Sequence, residues 1–208
     1  MNIKKIKERL KNNIPKPIDE EISFSILVPI IEINNELNLI YEVRSKNIRQ
    51  PGEISFPGGK IEANELPKEA AIRETWEEIG VSKDNIDIIT ELDYASSKSG
   101  SFVYSFLGHI KNEDYYKMDF NKDEVSELFF VPLSFFMENE PEKYYINYRP
   151  EADDDFPHHM INNGENYNWE NIKYPVYFYK YNDYIIWGLT AKITYSFINK
   201  IKNTEIMS

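Results

Sequence analysis

The sequence predicts an α/β (α+β) fold built on one mixed β-sheet that helices cover on both faces. Apolar runs rich in β-branched and aromatic residues recur along the 208 residues, and segments with helical periodicity lie between them. There is no internal repeat and no low-complexity tract, and a chain of this length can bury a substantial core by itself. We therefore expect one domain over residues 1–208, with an N-terminal helical extension at 1–21 and the core at 22–200.

The N-terminal extension begins MNIKKIKERLKNNIPKP, which is basic and has polar residues every few positions. It lacks the apolar run of a signal peptide and predicts a short amphipathic helix that ends before Pro15. No segment of the chain approaches the roughly 20 apolar residues that cross a bilayer. Because there is no cysteine, a disulfide framework and a thiolate metal site are both excluded. These features predict a cytoplasmic protein without a membrane partner.

The core elements follow from the apolar runs and from the turn residues between them. Strands are predicted at Ile22–Ile33, Leu37–Val43, Ile86–Leu92, Phe102–Ile110, Val125–Val131, Tyr174–Tyr179 and Tyr184–Trp187. The pairs Asn34-Asn35 and Asn182-Asp183 predict tight turns in two hairpins. A short helix is expected at Ser134–Met137, and Thr190 is expected to cap a final helix. Residues 139–170 are the least regular part, and a loop of that length is usually functional or mobile.

Another helix is predicted inside the stretch Gly59–Val81, GKIEANELPKEAAIRETWEEIGV. Pro67 suits the first helical turn, and Gly80 follows where a C-terminal cap is expected, although Leu66 offers no acceptor at the N-cap. Because helical residues advance by about 100°, three glutamates share one face: Glu74, Glu77 and Glu78. Three apolar residues fall on the opposite side and are expected to pack into the core: Ile72, Trp76 and Ile79.

Carboxylates on one helix face repel one another, and a divalent cation removes that penalty. Hard cations such as Mg²⁺ prefer oxygen ligands, so three glutamates are a suitable donor set. An acidic pair on an arbitrary helix is more often solvated surface. Here the order Arg-Glu-x-x-Glu-Glu, the upstream Glu65 and the preceding turn Phe56-Pro57-Gly58-Gly59 favour a metal site. The glycines of that turn permit close backbone approach to a ligand or metal.

The stretch Gly59–Val81 fits the pattern G-x5-E-x7-R-E-U-x-E-E-x-G-U, in which U is aliphatic. Thr75, in the first aliphatic position, is the single departure. On this motif the chain resembles the Nudix hydrolases, which cleave nucleoside diphosphates linked to another group. The resemblance implies a Nudix-type α-β-α sandwich with a mixed β-sheet, a diphosphatase activity, and Mg²⁺ or Mn²⁺ as the cofactor.

The resemblance also implies a role for each residue of the motif. Glu77 and Glu78 match the glutamates that bind the catalytic metal in this family. Glu74 matches a further ligand or the base that activates water. The backbone carbonyl at Gly58 matches one that commonly completes the metal shell.

Residues around the motif carry further implied roles. Arg73 and Glu65 match a pair that usually holds the loop and the helix in register. A second metal ligand or base often comes from a glutamate on a later loop. In the segment KDEVSELFFVPL both Glu124 and Glu127 are candidates, Asp123 is a weaker one, and the sequence does not choose between the two glutamates.

A basic segment precedes the motif. Residues 43–60 carry four basic side chains against one acidic side chain, in a chain whose net charge is −11. Arginine binds two phosphate oxygens at once, so this segment is suited to an anionic substrate. Its arrangement, RS-x3-R-x2-G-x3-FPGG, is similar to the signature of coenzyme A pyrophosphatases within the Nudix family, with the interval before Gly52 about one residue shorter. The resemblance implies Arg44, Ser45 and Arg49 as substrate-binding residues.

The expected reaction is hydrolysis of the diphosphate of coenzyme A or acyl-CoA, which gives (acyl-)4′-phosphopantetheine and adenosine 3′,5′-bisphosphate. One alternative is a Nudix pyrophosphatase for ADP-ribose or another nucleoside diphosphate derivative. A second alternative is a regulator that binds a nucleotide without hydrolysing it, although such a protein has no need to keep all three glutamates of the helix. The partner is thus a small nucleotide, and the net charge of −11 opposes binding to nucleic acid. A homodimer is compatible with the sequence.

Overall fold

The structure, a computed structural model, describes residues 1–13, 22–96, 101–111 and 118–204. Its helices are α1 (Ile3–Leu10), α2 (Pro67–Ile79), α3 (Leu133–Glu138) and α4 (Gly188–Thr204). Its strands are β1 (Ser23–Ile33), β2 (Glu36–Arg44), β3 (Ile54–Ser55), β4 (Gly58–Lys60), β5 (Ile86–Glu91), β6 (Ala95–Ser96), β7 (Phe102–Ile110), β8 (Val125–Pro132), β9 (Glu142–Tyr148), β10 (Ile172–Tyr181) and β11 (Tyr184–Trp187). Short 3₁₀ helices lie at Lys83–Asn85, His158–Met160 and Gly164–Asn166.

The larger sheet is mixed and has β1 near its centre. Its strands run in the order β3-β2-β1-β7-β5, with β1 antiparallel to β2 and parallel to β7. β8 pairs with β2, β4 pairs with the start of β1, and β6 pairs with β7. The β1–β2 connection is the predicted tight turn, because Asn34 and Asn35 both adopt positive φ angles, 53° and 63°. The sheet contains five of the predicted strands, namely β1, β2, β5, β7 and β8.

Each face of the larger sheet packs against helices, because side chains alternate between the faces along a strand. One face packs against α2, through a cluster that includes Leu27, Ile31, Ile40, Ala71 and Ile79. The other face packs against α3 and α4, through a cluster that includes Val28, Leu39, Tyr41, Phe136, Phe197 and Ile198. The structure therefore confirms an α-β-α sandwich around a mixed sheet.

A second sheet of three strands, in the order β11-β10-β9, lies on the α4 side. Val176, Tyr179 and Ile186 are buried and join the cluster on that face. β9 falls within residues 139–170, which the sequence predicted to be irregular. All seven residues of β9 are exposed, so buried and exposed side chains do not alternate along this strand. That prediction is corrected for 142–148, whose pairing with β10 is a long-range contact.

Near the C-terminus the structure differs from the sequence prediction in one respect. α4 begins at Gly188, so Thr190 lies inside its first turn and does not cap it. The Thr190 hydroxyl instead donates to the carbonyl of Ile54 (3.0 Å) and ties α4 to β3. α1 is present and is capped by Asn2, whose side chain accepts from the backbone N–H of Lys5 (3.1 Å). It ends at Leu10, which agrees with the predicted end before Pro15.

Within the described part of the chain, no helix is long and apolar enough to cross a membrane.

Candidate active site

Helix α2 presents the acidic motif, and local chemistry fixes both of its ends. Pro67 occupies the first turn, where its missing N–H costs no hydrogen bond. Glu69 reaches back and accepts from the N–H of Leu66 (3.0 Å), which satisfies an end that has no side-chain cap. Gly80 ends the helix with φ 74°, and its N–H donates to Trp76 O (3.1 Å). The predicted bounds of this helix are confirmed.

The buried face of α2 differs from the predicted one. Ile79 is buried as expected, but the Trp76 ring is 47% exposed and lies under the ammonium group of Lys83 (4.5 Å). The buried residues are Ala70, Ala71, Thr75, Glu78 and Ile79. Thr75 tolerates burial because its hydroxyl donates to Ala71 O (2.7 Å), which explains how it replaces an aliphatic residue in the motif. Because the observed buried face includes Glu78, this side chain lies in the protein interior.

A cleft of about 590 Å³ brings the motif and the basic segment together. Its acidic side chains are Glu74, Glu78 and Glu124, and its basic side chains are Arg44, Arg49 and Lys60. The turn glycines Gly58 and Gly59 form part of the wall, and α4 adds Leu189, Thr190 and Ile193. Residues that are far apart in the sequence therefore meet at one concave surface. The contribution of α4 was not foreseen from the sequence, because nothing in its periodicity distinguishes a cleft wall from a core face.

Glu78 is the most buried acid of the cleft, with 5% of the residue exposed. Its Oε2 accepts from the N–H of Gly58 (2.7 Å). Burial, followed by the negative charge of Glu42, raises the pKa of Glu78 to about 9. Without a cation, the carboxyl therefore holds a proton at neutral pH. Gly58 thus contributes its N–H to the site in this structure, whereas the resemblance implied a role for its carbonyl.

Glu74 lies directly against the glycine turn. A Cβ added to Gly59 would lie 2.3 Å from the Glu74 carboxyl carbon, so only glycine leaves room for this side chain. A Cβ on Gly58 would lie 2.4 Å from the carbonyl oxygen of Ser25. Burial raises the pKa of Glu74, and Arg73 acts in the opposite direction. Gly58 is therefore required by the close approach of the turn to β1, and Gly59 allows the Glu74 carboxyl group to lie against the turn.

Arg73 connects the acidic residues around the turn. Its Nε and Nη2 donate to the two carboxylate oxygens of Glu65 (2.8 and 2.9 Å). Its Nη1 donates to Glu74 Oε1 (2.8 Å) and to Glu77 Oε2 (3.1 Å). The hydrogen bonds from Arg73 lower the pKa of Glu65. The Arg73–Glu65 pair that the resemblance implied is thus present, and it fixes the loop to α2.

The remaining acidic candidates differ in whether they line the cleft. Glu77 has a 42% exposed side chain, contacts Arg73 and does not line the cleft. Glu124 does line the cleft, next to the bulge at Val43/Arg44 where β2 and β8 shift register. Glu127 lies outside the cleft and is exposed, and it accepts a hydrogen bond from the Tyr184 hydroxyl (2.6 Å). Geometry thus favours Glu124 over Glu127.

The basic segment forms a closed loop between β2 and β3. Gly52 N–H donates to Arg44 O (2.9 Å), and Arg44 N–H donates to Glu53 O (2.9 Å). The Arg44 Nε donates to Arg49 O (2.9 Å), so the two arginines that line the cleft are held together. Ser45 differs from its predicted role as a substrate contact. Its side chain is buried, does not line the cleft, and donates to Asp123 O, which ties the loop to the segment bearing Glu124.

Sequence reasoning missed Glu42. This residue of β2 is only 1% exposed, and burial raises its pKa to about 7. Ser55 Oγ donates to its Oε1 (2.8 Å). The available signal was the acidic residue in the strand ELNLIYEVR, where alternation places it on the same sheet face as Ile40.

The donor chemistry of the cleft fits a hard divalent cation. Its acidic side chains supply only oxygen, and two buried glutamates with raised pKa values lie close enough to affect each other. No donor among the described residues reaches Glu42 Oε2. The described acidic and histidine side chains do not, however, form a preassembled cage of three or more cation ligands. A cation would therefore have to draw the carboxylates together.

Comparison with known proteins shows which family the chain belongs to. The family model for the NUDIX domain matches residues 24–150. The chain is 30% identical over 172 residues to the mouse (Mus musculus) protein "Peroxisomal coenzyme A diphosphatase NUDT7" and 26% identical over 175 residues to the human (Homo sapiens) "Mitochondrial coenzyme A diphosphatase NUDT8". These matches cover 82% and 83% of the chain, but 66% of the length of each relative.

A solved structure resembles the fold over nearly the whole chain. It is that of a MutT/nudix family protein from Enterococcus faecalis, with a TM-score of 0.52, 14% identity, and coverage of 98% of this chain and 70% of that one. At this identity the likeness supports the fold alone. The family assignment comes from the matched domain model, which spans more than half of the residues. The chain belongs to the NUDIX family.

Proposed function

We propose that this protein hydrolyses the diphosphate bond of coenzyme A or acyl-CoA and depends on Mg²⁺ or Mn²⁺. One observation carries the proposal: Arg44 and Arg49 line the same cleft as Glu74, Glu78 and Glu124. A diphosphate with its counter-cation presents both signs of charge, and this cleft offers a partner for each. The names of the two relatives, which both specify coenzyme A diphosphatase, support the substrate class.

The acidic side chains have different roles in this proposal. Glu78 and Glu124 would hold the cation, and bound Mg²⁺ or Mn²⁺ supplies charge neutralisation of the diphosphate and activation of a water. Glu74 is positioned for proton transfer because Arg73 holds its Oε1. Its Oε2 is then the atom that accepts the proton from the attacking water. Glu77 binds Arg73 and would contribute to the cation site only after that ion pair rearranges.

The basic side chains orient the substrate. The Arg44 side chain is anchored to the loop by its Nε, so its two Nη groups are the ones positioned to donate to phosphate oxygens. Arg49 is exposed at the rim and would bind a phosphate as substrate enters. Holding the diphosphate between these arginines and the glutamates aligns the anhydride bond for in-line attack. Ser45 acts indirectly in this proposal, because it fixes the arginine loop to the Glu124 segment.

Incubation of the pure protein with coenzyme A, and separately with ADP-ribose, tests this proposal. Each substrate is supplied with Mg²⁺ or Mn²⁺, and the products are separated by chromatography. We expect release of adenosine 3′,5′-bisphosphate from coenzyme A, and we expect Glu78→Gln to lower the rate by at least about 10²-fold. Preference for ADP-ribose would assign the chain to another Nudix substrate class. Absence of hydrolysis with every substrate and metal, in a protein that binds nucleotide, would favour the regulator.

The location of the protein and its oligomeric state are further predictions. The two relatives are named peroxisomal and mitochondrial, so the cytoplasmic location inferred from the sequence stays a prediction. A fluorescent fusion of the full chain in its native cell checks it. Light scattering of the pure protein checks whether it forms a homodimer.

A further inference from the structure

Glu42 occupies an unusual place behind the cleft. It lies on β2, where Ile40 points toward α2 and Tyr41 points toward α4. Alternation along the strand puts Glu42 on the α2 side, which is the side that carries Glu78. Across the sheet Glu42 pairs with Ser55, a residue that lines the cleft, and the negative charge of Glu42 raises the pKa of Glu78. Glu42 therefore adjoins the proposed cation site without lining the open part of the cleft.

One carboxyl oxygen of Glu42 accepts no hydrogen bond from the part of the chain that the structure describes. Oε1 accepts from Ser55 Oγ, whose residue does line the cleft. Oε2 is fully buried, and no hydrogen-bond donor among residues 1–13, 22–96, 101–111 and 118–204 reaches it. A buried polar atom without a partner costs free energy, and a buried charge without one costs more. Such an atom beside a second buried carboxylate indicates that a cation is the missing partner.

The alternative is a Glu42 that stays protonated and serves only to fill space. A glutamine would then satisfy the site better, because its amide has the same shape and carries no charge. A protonated glutamate with a purely structural role would be expected to donate its proton to a neighbouring acceptor. Glu42 Oε2 instead has no hydrogen-bond partner among the described residues. A cation explains both the free oxygen and the neighbouring Glu78.

We propose that Glu42 is an additional ligand of the divalent cation, and that its Oε2 binds the ion directly or through one water alongside Glu78. This inference rests on the proposed function only in taking the cleft as a cation site, and it deepens that function by adding a strand residue to the donor set. The motif on α2 supplies the other carboxylates. Glu42 thereby links the ion to the central sheet.

Measurement of cation affinity tests the assignment without any substrate. Mn²⁺ is titrated into the metal-free protein, and free Mn²⁺ is followed by electron paramagnetic resonance. We expect Glu42→Gln to weaken Mn²⁺ binding at least about tenfold, equivalent to about 1.4 kcal/mol. The same variant should raise the melting temperature of the metal-free protein, because a buried unpaired acid is removed.

Glu36→Gln is the matched control, since it makes the same change at the exposed start of β2. We expect its Mn²⁺ affinity to stay within about twofold of the unmodified chain. If Glu42→Gln also stays within about twofold, the ligand role is overturned and Glu42 is a protonated structural group. Should Glu42→Gln fail to fold, Glu42→Thr, also uncharged, is judged by the same affinity criterion. Loss of Mn²⁺ affinity in a protein that does not cleave coenzyme A would uphold this inference and reject the proposed substrate.

Discussion

At the scale of single residues, the site is organised by burial as much as by charge. Glu78 and Glu42 are buried, whereas Glu77 in the same motif is half exposed and paired with Arg73. A buried carboxylate loses hydration, so it gains more from a cation than an exposed one does. Arg73 compensates Glu65, Glu74 and Glu77, but no hydrogen bond from it reaches Glu78. The buried acids are therefore the ones left for a cation to neutralise.

Glu124 and Glu127 give a prediction that the sequence could not make. Glu124 lines the cleft, whereas Glu127 is bonded to Tyr184 on the outer side. We expect Glu124→Gln to lower kcat/KM at least about tenfold more than Glu127→Gln, because only Glu124 can contribute to binding the cation or orienting water. Steady-state hydrolysis of coenzyme A by the two purified variants measures this. Equal losses, or a larger loss for Glu127→Gln, would contradict the placement of Glu124.

Residue roles were predictable where the motif fixed them and not where a side chain's direction decided. The shared helix face of the α2 glutamates follows from their spacing, whereas the Arg73–Glu65 pair was implied by the resemblance to the Nudix hydrolases. The role of Ser45 did not follow from either, because a serine beside an arginine looks the same in sequence whether it faces a substrate or a backbone carbonyl. Glu42 was not predicted as a site residue, because the role of an acidic residue in a largely apolar strand can be assigned only when its neighbours in the fold are known.

At the scale of elements, the glycine turn and α2 behave as one unit. Gly58 and Gly59 form β4, which pairs with β1, while Glu74 and Glu78 approach the same turn from α2. The sheet, the turn and the helix therefore have to be correctly packed for the carboxylates to meet. A side chain at Gly58 would meet the backbone of β1, whereas one at Gly59 would displace the Glu74 carboxyl group.

This coupling predicts that Gly59→Ala destabilises the protein by about 1–3 kcal/mol, the usual cost of overpacking. The new methyl group would meet the Glu74 carboxyl group at 2.3 Å, so the Glu74 side chain has to leave its position and its hydrogen bond with Arg73. Urea denaturation measures the free energy of unfolding. The control is the pair of variants Glu74→Ala and Gly59→Ala/Glu74→Ala. If the clash with Glu74 is the cause, the cost of Gly59→Ala falls to nearly zero once Glu74 is truncated. An unchanged cost would locate the strain elsewhere, against backbone.

Elements were predictable to the extent that they show periodicity. β1, β2, β7, β8 and β11 have buried apolar residues flanked by turn residues, and the predicted spans agree with them to within about two residues. β9 was missed because its residues are all exposed and its order comes from pairing with β10. The face of α2 was misjudged because the helix turns Trp76 outward and buries Ala71 and Thr75. Small residues allow close helix–sheet packing, and a hydrophobicity pattern underweights them.

At the scale of the whole molecule, charge is unevenly distributed. The chain carries a net charge of −11, yet Arg44, Arg49 and Lys60 lie together at the cleft. A nucleotide is attracted to that local field while the remaining surface repels long polyanions. Acidic side chains line the same cleft. In the proposed function, binding of a cation there would favour binding of a diphosphate, and the reverse.

The free energy of unfolding of the metal-free protein should fall as pH rises, and a bound cation should oppose that fall. In the metal-free protein the pKa of Glu78 is raised to about 9 and that of Glu42 to about 7, against an ordinary value of 4.5. Between about pH 4.5 and pH 9 the folded state thus holds protons that the unfolded state has released, so the free energy of unfolding falls as pH rises. Groups with lowered pKa values, such as Glu65, act in a lower range, below their ordinary value.

We therefore expect the melting temperature of the metal-free protein, measured in a chelator, to fall by at least about 3 °C from pH 5.5 to pH 8.5, since 1 kcal/mol corresponds to about 2–4 °C at this size. Added Mg²⁺ binds the deprotonated carboxylates, so the stabilisation that it gives should increase over the same range. Scanning calorimetry with and without Mg²⁺ measures both slopes. In Glu78→Gln the decline with pH should be shallower, because the group with the largest shift no longer titrates. A melting temperature that is independent of pH in the unmodified chain would show that these carboxyl groups are not buried together, and the cation site would then have no electrostatic basis.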